Sequence, residues 1–90
     1  MSVRFCETIS AAKTLKAEDG VIPRKKARHQ IDAVGTGTVA VAVDFYAGAK
    51  TVYTIDATGT ALPYALEGEI NSITLTPSAS AKVAYCAEEV

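Results

Sequence analysis

From Gly35 to Tyr46 the chain reads G-T-G-T-V-A-V-A-V-D-F-Y, with Val39, Val41, Val43 and Phe45 alternating against Ala40, Ala42, Asp44 and Tyr46. Successive side chains leave opposite faces of a pleated backbone, so a period of two predicts a strand with one bulky face and one thin face. Shorter runs repeat the pattern. Residues 3–9 alternate Val3, Phe5, Glu7 and Ile9 against Arg4, Cys6 and Thr8; residues 27–34 place Ile31 and Ala33 inward. Lys50 to Asp56 sets Thr51, Tyr53 and Ile55 against Val52 and Thr54, Ile70 to Thr76 turns Ile73 and Leu75 inward, and Ala81 to Ala87 turns Val83 and Tyr85 inward.

Between these runs lie turn signals. Gly35 and Gly37 supply backbone freedom, and Ala47-Gly48-Ala49 is a hairpin connection. Pro63 confines residues 61–66 to an edge or loop, Glu67-Gly68-Glu69 predicts a turn, and Pro77 stops a strand. Residues 10–19 have helix-favouring composition but only one large apolar residue, Leu15, so a helix there has no stripe to dock. The reading is a short strand around Thr14 to Ala17, followed by a turn at Gly20. Turns every 8 to 12 residues or so, with no helical stretch between, predict an all-β chain. The expected architecture is a small antiparallel β-sandwich, jelly-roll or Ig-like. Its expected organisation is an N-terminal arm or edge strand over residues 1–20 and a sandwich domain over residues 21–90.

Ninety residues make one modest core, since a chain of this size buries about 60% of its unfolded surface. Nearly half the residues are hydrophobic, at 49%, but many are Ala and Val. Phe5, Phe45, Tyr46, Tyr53, Tyr64 and Tyr85 are therefore expected to supply the bulk, and a core of this kind gains from association with a partner. The net charge of −1 hides a polarity: residues 1–30 carry +4 and residues 31–90 carry −5. Copies could meet head to tail by charge, or the charges could simply be solvated. The one basic run holds Arg24, Lys25, Lys26 and Arg28. It reads as a solvated loop or an exposed edge strand, or as a salt-dependent docking contact for an acidic protein surface. Without interleaved aromatics it is not a nucleic-acid footprint.

Catalytic chemistry is not expected. His29 is the only histidine, adjoins the basic run and is expected at the surface or half-buried. The Gly-Thr-Gly-Thr segment lacks the Lys-Ser or Lys-Thr of a phosphate loop and leads into a strand. Asp44 and Asp56 could face each other across the hairpin at Gly48, flanked by small residues rather than an apolar pocket. Two cysteines and one histidine are too few for a structural zinc site, and no calcium loop or other cofactor motif is present. Cys6 and Cys86 read as two free, mostly buried thiols, though neighbouring first and last strands would permit a bridge. No apolar run is long enough to span a bilayer, and no signal-peptide pattern follows Met1.

The succession V-G-T-G-T-V-A-V-A-V-D-F, T-V-Y-T-I-D-A-T-G-T, L-E-G-E-I-N-S-I-T-L-T-P and A-K-V-A-Y, between Val34 and Tyr85, resembles small β-sandwich virion proteins of tailed bacteriophages. The resemblance implies a structural role in a virus particle, as a capsid decoration or cementing protein acting as a dimer or trimer. The implied partner is a major capsid protein or another virion protein, and the implied location is the virion, after synthesis in the host cytoplasm. A capsid-binding arm in such proteins is commonly N-terminal, which here places Val3, Arg4 and Phe5 among the contact residues. Two other readings stand beside it. One is a tail or fibre module with a receptor- or sugar-binding face built on a tyrosine; the other is a non-viral protein-interaction domain.

Overall fold

The computed structural model describes residues 4–20, 22–23, 25–57 and 64–89, with the side chains of Arg4 and Tyr64 outside that description. Eight strands follow in order: β1 (Arg4–Ile9), β2 (Lys13–Lys16), β3 (Ala27–Gly35), β4 (Thr38–Phe45), β5 (Lys50–Asp56), β6 (Tyr64–Gly68), β7 (Ile70–Pro77) and β8 (Ala81–Glu89). They form two four-stranded antiparallel sheets, ordered β1-β8-β3-β6 and β2-β7-β4-β5. This is the expected small β-sandwich. Both segments assigned to an N-terminal arm lie at sheet edges, β1 in one sheet and β2 in the other.

The alternation of β4 decides which side of its sheet is core. Val39, Val41 and Val43 are buried, whereas Ala40 and Ala42 are exposed. Across the ladder Val41 meets Leu75 and Val43 meets Ile73, and Leu15 of β2 sits opposite Ile73. Ile9, Ile31, Val83, Tyr85 and Ala87 complete the cluster from the other sheet. Branched side chains suit a pleated, half-buried surface, which is why so small an aromatic content suffices.

The short strand expected around Thr14 to Ala17 is present one residue earlier, and the turn before Gly20 is helical. Lys13–Lys16 is a strand buried only at Leu15, and Ala17–Asp19 is one turn of 3-10 helix closed by Gly20 in the left-handed region at φ 73°. The strand at residues 64–68 runs on to Gly68, so the turn expected at Glu67 to Glu69 shrinks to Glu69 alone. Asp44 and Asp56 do not face each other: Asp44 lies opposite Lys50, and Asp56 opposite Thr38.

Gly35 and Gly37 carry the crossing from β3 in one sheet to β4 in the other, each at φ 100°. Thr36 donates to the Ser80 carbonyl at 3.0 Å, and Ser78 and Thr38 exchange N–H bonds at 2.8 and 3.2 Å. The loop is thereby sewn to the β7–β8 turn. A Cβ on Gly35 would overlap the carbonyl oxygen of Ser80, which is backbone and cannot rotate away. Gly35→Ala combines that overlap with positive φ, and is expected to cost about 2 kcal/mol of unfolding free energy. Denaturant titration checks this, and an unchanged midpoint would show that the crossing adjusts freely.

Of the aromatic residues expected to fill the core, Tyr64 has its side chain outside the described residues; among the others only Tyr85 is fully enclosed, while Phe5 and Phe45 are half-buried against the cluster. Tyr46 and Tyr53 are exposed, at 71% and 46%. Tyr46 follows the register shift at Asp44/Phe45, one residue beyond the end of β4, where its N–H donates to the Glu69 carbonyl at 3.1 Å. Tyr53 shares the inner face of its sheet with Val41, but β5 overhangs the opposite sheet and only Ile55 reaches the core.

Candidate assembly surfaces

Three features of the surface are built rather than incidental: a disulfide across one sheet, a neutralised basic strip and an open strand edge. The expected free thiols are not found. Cys6 of β1 lies directly opposite Cys86 of β8, with Cα atoms 4.1 Å apart, and the two form a disulfide. Parity explains its position. Phe5 and Ile9 turn inward on β1, so Cys6 turns outward, onto the solvent face of its sheet.

The basic strip sits beside that bridge. Arg28 lies opposite Glu67 on one side and Glu88 on the other, and Lys26 and Arg28 approach the Glu67 carboxylate at 3.5 and 3.9 Å. The sequence polarity is thus met partly within one molecule, by cross-strand pairs, and exposed pairs of this kind contribute little individually. Lys25 is exposed, and Arg24 and Val3 lie outside the described residues. Arg4 belongs to the β1 edge, while Phe5 tilts against the Tyr85 ring, with centroids 6.2 Å apart. The structure therefore gathers Lys25, Lys26 and Arg28 at the start of β3, separates them from Phe5, and turns Phe5 toward the core.

On the inner side of the same sheet stands His29, expected at the surface or half-buried but found in the core. His29 is 0% exposed, because β3 begins at Ala27 and its alternation puts 27, 29 and 31 inside. Its Nδ1 is 2.7 Å from the Tyr85 hydroxyl, and the rings stack at 6.0 Å with 11° between their planes. Its Nε2 is buried and has no hydrogen-bond partner. Burial lowers the imidazole pKa to about 4 and raises that of the Tyr85 phenol. A neutral histidine locked against a phenol in the core is a packing group. Among the described residues, no cluster of three or more His, Cys, Asp or Glu could hold a metal, and no helix is long and apolar enough to cross a membrane.

The third feature is β5. Its only partner among the described strands is β4, so its other edge is open. Five of its residues in a row, Lys50 to Thr54, are exposed, with Val52 at 78%. Between its charged ends the strand reads T-V-Y-T-I, uncharged and rich in β-formers. Edge strands are normally blunted by lysine, proline or brevity. The edge strand β2 follows that rule with Lys13 and Lys16, Lys13 bonding Glu7 of β1. The interior of β5 does not. At the hairpin tip nearby, Phe45, Tyr46, Ala47, Ala49 and Gly68, together with the charged Lys26 and Glu69, line an open groove of about 550 Å³ whose surface is largely apolar.

No family model and no curated protein matches this chain. Among solved structures it is similar to that of Bacillus endospore appendages, described as a novel family of disulfide-linked pili. The TM-score is 0.58 at 12% identity, over 100% of this chain and 87% of that one. At that identity the likeness establishes a shared β-sandwich fold.

Proposed function

We propose that this chain is a structural subunit that associates with copies of itself, through its sheet edges, in an ordered assembly. The observation that carries the reading is the open edge of β5, whose interior is uncharged and exposed over five residues in a row. An unpaired row of backbone donors and acceptors is a template for another strand. The pilus likeness supports the same direction, since that sandwich belongs to a polymer. In this reading the protein holds a shape and carries no active site.

The solvent-facing disulfide favours an assembly that matures in an oxidising setting, outside the reducing cytosol. An extracellular appendage meets that condition. A phage capsid is the narrower alternative and rests on the strand-and-turn resemblance, so the two are separated by what the subunit binds. Purified protein is expected to form oligomers or filaments by light scattering and electron microscopy, without added particles. A chain that stays monomeric up to its solubility limit, and binds only a preformed shell, would replace this reading with the decorating one.

A further inference from the structure

We propose that β5 pairs with β5 of a second copy, antiparallel about a two-fold axis at Tyr53, so that one continuous sheet runs through both molecules. The proposal rests on the self-assembly reading and names the surface and the register that carry it.

The backbone sets which groups are available. Phe45 N–H donates to the Ala49 carbonyl at 2.8 Å, so that pair begins the hydrogen-bonded positions of the β4–β5 hairpin. Alternation along an antiparallel ladder then bonds Thr51, Tyr53 and Ile55 inward to β4. Lys50, Val52, Thr54 and Asp56 turn their N–H and C=O groups outward, to the open edge.

Charge selects the register. With Tyr53 opposite Tyr53 of the second copy, Val52 lies opposite Thr54 and Lys50 opposite Asp56, twice by symmetry. All the outward-turned groups then fall into hydrogen-bonding pairs, and each end of the junction joins an ammonium to a carboxylate. Asp56 needs to contribute only one acceptor site to this, and keeps its contacts within its own chain. A parallel pairing in register would instead set Lys50 beside Lys50. A slip of one residue would turn opposing side chains to mismatched faces.

The side chains fit that axis. Tyr53 would occupy a non-hydrogen-bonded position, where opposing side chains approach most closely, on the inner face that β5 leaves uncovered. Val52 would exchange water for a neighbouring Thr54 on the outer face. The contact is isologous, so it closes on itself and leaves the edges at β1 and β2 free for a different neighbour.

The test uses charge reversal with the full chain. Lys50→Asp gives a strand acidic at both ends, and Asp56→Lys gives one basic at both ends. Each variant alone is expected to self-associate about tenfold more weakly or worse by sedimentation, because like charges are opposed. Mixed together, they should recover association as a one-to-one hetero-pair. Val52→Pro supplies a second arm, since it deletes an outward N–H and leaves the β4 ladder intact. It should abolish pairing while circular dichroism still reports the folded sandwich. Association that survives all three substitutions would overturn the β5 junction and leave self-assembly standing. Loss in both charge variants without recovery on mixing would overturn the register. A wild-type chain that never associates would remove both proposals.

Discussion

Reducing the Cys6–Cys86 bridge is expected to lower the unfolding free energy of this protein by about 4 kcal/mol. The bridge closes a chain separation of 80 residues, and tying so long a loop removes much of the freedom of the unfolded chain. Domains of this size typically hold only 5 to 15 kcal/mol in total, so roughly half the margin is at stake. Urea titration with and without reductant checks the figure, and Cys6→Ser with Cys86→Ser should match the reduced protein. The bridge also holds β1 at the sheet edge, where few core groups anchor it. Coincident urea midpoints would show that the sandwich alone fixes the ends, and that the unfolded chain is already compact.

Acidification gives the second large effect. His29 titrates near 4 in the fold and near 6.5 when unfolded, because the buried ring resists taking up a charge. Between those values the unfolded chain binds the proton and the folded one does not, so stability falls as pH falls from about 6.5 to 4. Below 4 both states are protonated and the loss levels off. The full loss from this residue is about 3 kcal/mol. Other groups titrate in the same range, so the comparison that isolates it is with His29→Leu/Tyr85→Phe. That pair removes both hydrogen-bond partners and the lone Nε2 together, which can be nearly neutral at pH 7. His29→Leu alone leaves the Tyr85 hydroxyl buried and unpaired, costing about 1 to 3 kcal/mol. Equal pH slopes for the double variant and the wild type would show that the core histidine does not govern acid sensitivity.

These two effects come from residues whose positions were only half legible in the sequence. The alternation of Val39, Val41 and Val43, the inward Ile31, Ile73 and Val83, and the glycine crossing at Gly35 all follow from period and turn chemistry. The same parity reaches His29 from Ile31, but the adjoining cations make it read as a surface or half-buried residue. What encloses it is pairing on both sides of β3 with partners distant in sequence: His29 lies opposite Leu66 and Ala87. The disulfide needed the knowledge that β1 and β8 are neighbours, a fact of topology that no local pattern holds. The β5 edge was more accessible. T-V-Y-T-I between Lys50 and Asp56 is visible as an uncharged β-forming run, yet only the strand order shows that its far side is open. The tyrosines misled for the same reason, since aromatic bulk goes inside only when a second sheet lies over it.

The bridge also decides how the molecule bears load. Arg4 and Glu88 are opposite one another, so both ends of the described chain leave the sandwich at one corner. Tension applied to those ends would peel β1 from β8 like a zipper, and meets the Cys6–Cys86 bond two positions in. From there the force runs through a covalent link. The strands between Cys6 and Cys86, and with them every buried core residue but Ala87, stay slack.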